Sequence, residues 1–175
     1  MARRALLGIC IAAVAIGFAC GPALASTVTL TTLEARVLQL VNYERTKRGL
    51  VPLRAQYNLM RAARAHTRNM ATIPFFSHIS PSGLTPATRA IAFGYTVSGF
   101  RSWRLGENIA WATWTCVTPE QIVRGWMNSA SHRAVILTAC FRDIGIGVVS
   151  SSLTPDGRRT LGARYYTIDL GRRIS

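Results

Sequence analysis

The sequence is poor in acidic residues and in lysine. Seven Asp and Glu stand against 21 Lys and Arg in 175 residues, a formal net charge of +14, and Lys47 is the single lysine. No run of five or more basic residues occurs, so the charge is scattered, as on a solvated surface. Where a basic surface of this kind does take a partner, the favoured class is acidic, such as an acidic cell-envelope polymer.

Long apolar runs are also missing, since the longest covers residues 5–19 and a membrane-spanning helix needs about 20 residues. This run follows Arg3 and Arg4 and precedes Ala23-Leu24-Ala25, the small-x-small pattern at which signal peptidase cleaves. Residues 1–25 are therefore predicted to be a signal peptide, and the exported chain to begin near Ser26. Residues 26–31 form a short lead-in.

Two alternatives exist for this leader. The apolar run can be retained as a membrane anchor, but its length argues against that. Lipidation at Cys20 would make the chain a lipoprotein, but Gly17 stands where a lipobox has leucine or a similar residue. With cleavage, no transmembrane segment remains, and a secreted or periplasmic protein without a nucleic-acid partner is expected.

Cysteine is scarce: of four in the chain, Cys10 and Cys20 belong to the predicted leader. Cys116 and Cys140 remain, and two cysteines in an exported domain are expected to pair. The chain is long enough to bury a core without several disulfides or a metal.

Capping patterns indicate where helices begin. Thr31 with Glu34, and Thr118 with Gln121, are capping boxes. Leu33, Val37, Leu40 and Val41 recur at helical spacing, and the first helix is predicted to end at Gly49. Further helices are expected over about 56–71, where His66 lies on the apolar stripe as a core histidine, and over 85–94.

Strands are expected over residues 106–111, 143–150 and 164–170, and the last two flank a Thr154-Pro155-Asp156-Gly157 turn. Helices come first and a hairpin last. This order predicts one α+β domain over residues 32–173, with an antiparallel sheet covered by helices. No internal repeat is present.

Six short stretches occur in a fixed order along the chain. They are Leu40-Val41-Asn42-Tyr43-Glu44-Arg45, Phe76-Ser77-His78-Ile79-Ser80-Pro81, Gly106-Glu107-Asn108-Ile109-Ala110, Trp126-Met127-Asn128-Ser129 with His132-Arg133, Phe141-Arg142-Asp143-Ile144-Gly145, and residues 166–171. In these the chain resembles the CAP superfamily of cysteine-rich secretory, antigen 5 and pathogenesis-related proteins (the SCP domain), and its bacterial branch in particular.

The resemblance implies a three-layer α-β-α sandwich and a cavity carrying histidines and glutamates. His78 and His132 match the histidine positions and Glu107 the first glutamate, whereas Ser129 stands at the second glutamate. We expect His78, Glu107 and His132 to converge, with Ser129 beside them. Two imidazoles and a carboxylate can bind Zn²⁺, so weak binding of a divalent ion is expected. Equally, Glu107 can serve a structural role by tying its strand to the histidine loops.

By resemblance, the expected function is binding of a small apolar or amphipathic ligand, lipid- or sterol-like, or of an envelope component, by a non-enzymatic monomer. A metal-assisted hydrolase of envelope material or secreted peptides is the alternative. A Ser129–His132 hydrolase is disfavoured because no Gly-x-Ser-x-Gly sequence occurs. Trp111 and Trp114 belong to the core or its rim by default, with a ligand groove as the second interpretation.

Overall fold

A computed structural model describes residues 28–114 and 117–175. The predicted leader and Cys116 lie outside these residues. The helices are α1 (Thr32–Thr46), α2 (Tyr57–Thr72), α3 (Pro86–Ala92), α4 (Pro119–Asn128) and α5 (Ala130–Ile136). The strands are β1 (Arg54–Ala55), β2 (Ser102–Thr113), β3 (Asp143–Leu153) and β4 (Arg159–Ile174).

The strands form one sheet in the order β1-β3-β4-β2. β4 pairs antiparallel with both β2 and β3, and the short β1 adds a parallel pair to β3. The sheet is therefore mixed rather than purely antiparallel as predicted. The parallel pair comprises only two residues, so the α+β class is unchanged.

Helices cover both faces of the sheet. On one face α2 lies directly on β3, because a Cβ atom placed on Gly145 would approach the Leu59 carbonyl oxygen to 2.1 Å. On the other face the apolar sides of α1 and α4 pack with Ile144, Ile146 and the even-numbered residues of β4. The result is the three-layer α-β-α sandwich that the resemblance implies.

Both predicted capping boxes are present, with Thr31 and Thr118 as the N-caps of α1 and α4. α1 ends at Thr46 rather than Gly49, and Gly49 takes a positive φ of 72° in the turn that follows. His66 is buried on the apolar stripe of α2, as predicted. No helix within the described residues is long and apolar enough to cross a membrane.

Candidate functional site

Glu107 and Asp169 lie opposite each other on neighbouring strands. They are cross-strand partners in the antiparallel pairing of β2 with β4, so their side chains leave the sheet on the same face. This is the face that α2 covers, because Asp169 also pairs with Gly145 on β3. Both residues are buried. The fold thus places two carboxyl groups side by side beneath the helical layer.

Arg89 supplies the positive charge at this pair. Its Nη2 donates a hydrogen bond to Oε2 of Glu107, and both side chains are almost completely buried. Nη1 donates to Oγ of Ser80 at 3.0 Å and to the His78 carbonyl at 3.2 Å. One guanidinium group on α3 therefore fixes the loop that carries His78 against β2.

His78 is held by the other oxygen of Glu107. Its Nδ1 lies 2.7 Å from Oε1, and this hydrogen bond raises the pKa of His78. Half of the His78 side chain (52%) remains exposed. The carboxylate orients the imidazole, and the exposed part of the ring lines a pocket.

Asp169 was not identified from the sequence. It is completely buried, and neither carboxylate oxygen has a hydrogen-bond partner among the described residues. Burial raises the pKa of Asp169 well above its ordinary value, and the neighbouring charge of Glu107 raises it further. Since Arg89 contacts Glu107 alone of the two, Asp169 is held as the neutral acid.

His132 and Ser129 form a second polar pair. Ser129 follows the last residue of α4, and its Oγ lies 2.8 Å from Nδ1 of His132 on α5. The side-chain amide of Asn108 on β2 donates to the His132 carbonyl at 3.0 Å and fixes α5 on the strand. Ser129 thus faces the pocket as a hydrogen-bonding neighbour of His132, as expected.

A pocket of about 740 Å³ separates the His78 loop from α4 and α5. Apolar side chains and the backbone of β2 and α4 form most of its surface, and both histidines lie on it. The lining residues are Phe76, Ser77, His78, Ile79, Ile109, Ala110, Trp111, Gln121, Ile122, Gly125, Trp126, Ser129 and His132. Trp111 therefore lines this pocket, whereas Trp114 does not.

The predicted three-residue centre is only partly formed. His78 and Glu107 are in contact, and His132 lines the same pocket with Ser129 as its imidazole partner. No group of three or more His, Cys, Asp or Glu side chains in the described part of the chain is arranged to hold a metal ion. Arg89 already neutralises Glu107. These residues do not fit a divalent ion, since a guanidinium group stands where the metal's carboxylate ligand would be needed.

The same geometry separates the parts of a Ser-His-Glu triad. Glu107 orients His78, whereas Ser129 contacts His132, so no single imidazole joins the serine to the carboxylate. Cys116 lies outside the described residues and Cys140 is half-buried. The Cys116–Cys140 disulfide stays a prediction.

His66 joins the buried network from α2. Its Nε2 lies 2.9 Å from the Ser77 carbonyl and its Nδ1 3.2 Å from Oγ of Ser80. Burial lowers the pKa of His66 to about 4, and the positive charge of Arg89 acts in the same direction. His66 is therefore a neutral residue that supports the loop carrying His78.

This lowered pKa predicts a pH-dependent stability. The unfolded chain takes up a proton on His66 near its ordinary pKa of about 6.5, but the folded chain does not until about pH 4. His66 thus stabilises the fold fully above pH 6.5, and this contribution declines as the pH falls towards 4. Urea unfolding of wild type and His66→Gln across this range should show a shallower pH dependence in the variant.

His78→Gln is the control for that measurement. The pKa of His78 is raised, so its contribution is complete below pH 6.5 and is lost as the pH rises through the folded value. The two substitutions should therefore change the slope in opposite directions. Parallel pH profiles for wild type and His66→Gln would contradict the burial of a neutral imidazole.

Comparison with known proteins agrees with this fold and site. The family model described as "Cysteine-rich secretory protein family", CAP, matches residues 38–167. An uncharacterized protein of Bacillus subtilis strain 168, YkwD, is 37% identical over 123 residues, which are 70% of this chain and 45% of YkwD. This chain therefore spans less than half the length of that relative.

Solved structures give the same result. An extracellular SCP-domain protein of Bacillus anthracis superposes with a TM-score of 0.62 at 26% identity, over 83% of this chain and 45% of that one. An outer surface protein of Borrelia burgdorferi gives 0.58 at 19% identity, over 78% and 90%, and supports the fold alone. With a family match over most of the chain, this protein belongs to the CAP (cysteine-rich secretory protein) family.

Proposed function

We propose that this protein is an exported, non-enzymatic binding protein for a small apolar or amphipathic molecule, held in the pocket between the His78 loop and α4. The pocket carries the proposal. Its volume of about 740 Å³ lies within the range of small-molecule sites, roughly 300–1,000 Å³. Mostly apolar walls with a few polar groups are the usual composition of such sites.

The polar groups favour a ligand with a hydrogen-bonding head. His78 and the Ser129–His132 pair lie on the lining together with apolar residues such as Phe76 and Trp126. The hydrogen bond to Glu107 raises the pKa of His78 and favours its cationic form. A molecule with an apolar body and a carboxylate or hydroxyl head would satisfy both kinds of surface.

Export rests on the sequence and on the relatives. Residues 1–25 carry the signal-peptide pattern. The matched proteins of Bacillus anthracis and Borrelia burgdorferi are described as an extracellular protein and an outer surface protein. We therefore place this protein outside the cytoplasm, where an apolar ligand needs a carrier in water.

The hydrolase alternatives receive less support. A metal-assisted mechanism needs a cation at Glu107, and Arg89 already occupies that carboxylate. A serine mechanism needs one imidazole to join Ser129 to a carboxylate, and the two histidines divide these contacts. Both arrangements suit positioning of a bound molecule better than activation of a nucleophile.

Gly125 offers a way to close the pocket. It lies on the pocket side of α4, and a Cβ atom placed there meets nothing within 4 Å. Gly125→Phe should place its ring in the pocket without disturbing the core. Titration with a fluorescent fatty acid should show a loss of affinity of roughly tenfold or more, because about 1.4 kcal/mol of lost contact is a factor of ten.

Gly125→Ala is the matched control, since it leaves the cavity open. It should bind the probe as wild type does. Equal affinity of wild type and Gly125→Phe, in a protein with an unchanged melting temperature, would show that the probe binds elsewhere and would contradict the proposed site.

A further inference from the structure

A second surface lies at the end of the sheet where β2, β3 and β4 meet the hairpin turn. We define the hairpin surface as Trp114 and Leu161 together with Arg158, Arg159 and Arg164. Trp114, Leu161 and Arg164 line one concavity of about 620 Å³. Arg158 and Arg159 adjoin the turn between β3 and β4. Nothing in the pocket chemistry described above uses these residues.

The apolar residues of this surface are unusually exposed. Leu161 is 91% exposed and Trp114 is 68% exposed. Single exposed apolar residues are ordinary on a soluble protein, but two large ones sharing a concavity form a patch. Tryptophan prefers the boundary between water and lipid, because its ring is apolar and its N–H is polar.

The charges around the patch have one predominant sign. Residues 150–165 contain three arginines and one acid, Asp156. Asp156 contacts Arg158 at 3.1 Å in an exposed ion pair, which is weak in water. Arg159 and Arg164 form no ion pair within the described part of the chain. A patch of tryptophan and leucine bordered by arginines complements a surface that is anionic outside and apolar beneath.

Trp111 links this surface to the pocket. It lines the ligand pocket and also a smaller concavity with Pro155, Asp156 and Arg158 of the hairpin turn. Its ring stacks on Tyr165 of β4, with ring centroids 6.3 Å apart. The mouth of the pocket and the hairpin turn therefore adjoin, so a membrane at the hairpin surface would lie beside the pocket.

We propose that the hairpin surface docks on an anionic lipid bilayer. Trp114 and Leu161 enter the interface, and the arginines contact lipid phosphates. An acidic polymer in solution would pair with the arginines but would leave Trp114 and Leu161 in water. Docking would let an amphipathic ligand pass between bilayer and pocket, and this transfer role alone rests on the function proposed above.

Vesicle co-sedimentation tests the docking. Wild type should bind vesicles of phosphatidylcholine with phosphatidylglycerol, and bind pure phosphatidylcholine weakly. Trp114→Asn with Leu161→Thr should lower the affinity roughly tenfold or more, because both apolar side chains that would enter the bilayer are lost. Asparagine suits the positive φ of 61° at Trp114, and threonine suits a strand, so the fold should be retained.

The controls separate this proposal from its competitors. Tyr43→Ser with Val51→Thr removes two exposed apolar side chains elsewhere and should leave vesicle binding unchanged. Arg158→Gln with Arg159→Gln should weaken binding to anionic vesicles and reduce its salt dependence. Unchanged vesicle binding after loss of Trp114 and Leu161, with equal binding to soluble dextran sulfate, would overturn docking in favour of an acidic-polymer site.

The two proposals fail separately. Gly125→Phe should bind vesicles as wild type does while losing the fluorescent fatty acid. The Trp114→Asn, Leu161→Thr variant should bind the monomeric fatty acid as wild type does while losing the vesicles. Loss of both activities in both variants would contradict two distinct surfaces.

Discussion

Replacing Arg89 by methionine is expected to lower the free energy of unfolding by about 3–5 kcal/mol, because it leaves a buried carboxylate without its cation. Glu107 and Asp169 would then lie side by side under α2 with no positive charge in hydrogen-bond contact. The loop carrying His78 would also lose its anchor at Ser80. Urea unfolding at neutral pH measures the effect.

Arg68→Met is the matched control, since Arg68 is an exposed arginine on α2. It should change stability by less than about 0.5 kcal/mol. The deficit of Arg89→Met should also shrink at acidic pH, where protonation removes the unpaired charge. Equal stabilities of the two variants at pH 7 would mean that Glu107 does not depend on Arg89 for compensation.

Gly145→Ala is expected to cost about 3 kcal/mol or more, at the upper end of what overpacking usually costs. A Cβ atom at this position would lie 2.1 Å from the Leu59 carbonyl oxygen and 2.8 Å from the Leu59 Cβ. Neither atom is the end of a flexible side chain, so α2 would have to move away from β3. That shift would also disturb the layer above Glu107 and Asp169.

Gly125→Ala provides the opposite result for the same substitution. Gly125 lies within α4 with open space around its Cβ position, so alanine should stabilise the helix by roughly 0.5–1 kcal/mol. Thermal unfolding of both variants checks the pair. A Gly145→Ala protein that melts with wild type would contradict the close packing of α2 on β3.

Local patterns in the sequence predict most of the fold. The capping boxes at Thr31 and Thr118 depend on residues three apart, so they can be read without tertiary contacts. α5 was missed because it follows α4 after the single residue Ser129, and the two read as one segment. β1 was missed because two residues carry no periodic signal, and their pairing depends on β3, which is distant in the chain.

The site was predicted only in part for a related reason. Resemblance identified His78 and Glu107, and the structure brings them into contact. Arg89 lies in a different element from either, so no spacing rule connects it to them. Asp169 left a faint signal, an acid inside the apolar run from Tyr165 to Leu170, which favours a buried charge over a solvated one. The cross-strand pairing that gives this signal its meaning requires the tertiary fold.

Native mass spectrometry of the protein purified after export tests the binding function most directly. Wild type and Gly125→Ala should carry a small amphipathic molecule that organic extraction releases, and Gly125→Phe should not. The same molecule in equal amounts on wild type and Gly125→Phe, or none on any of the three, would contradict a ligand held between the His78 loop and α4.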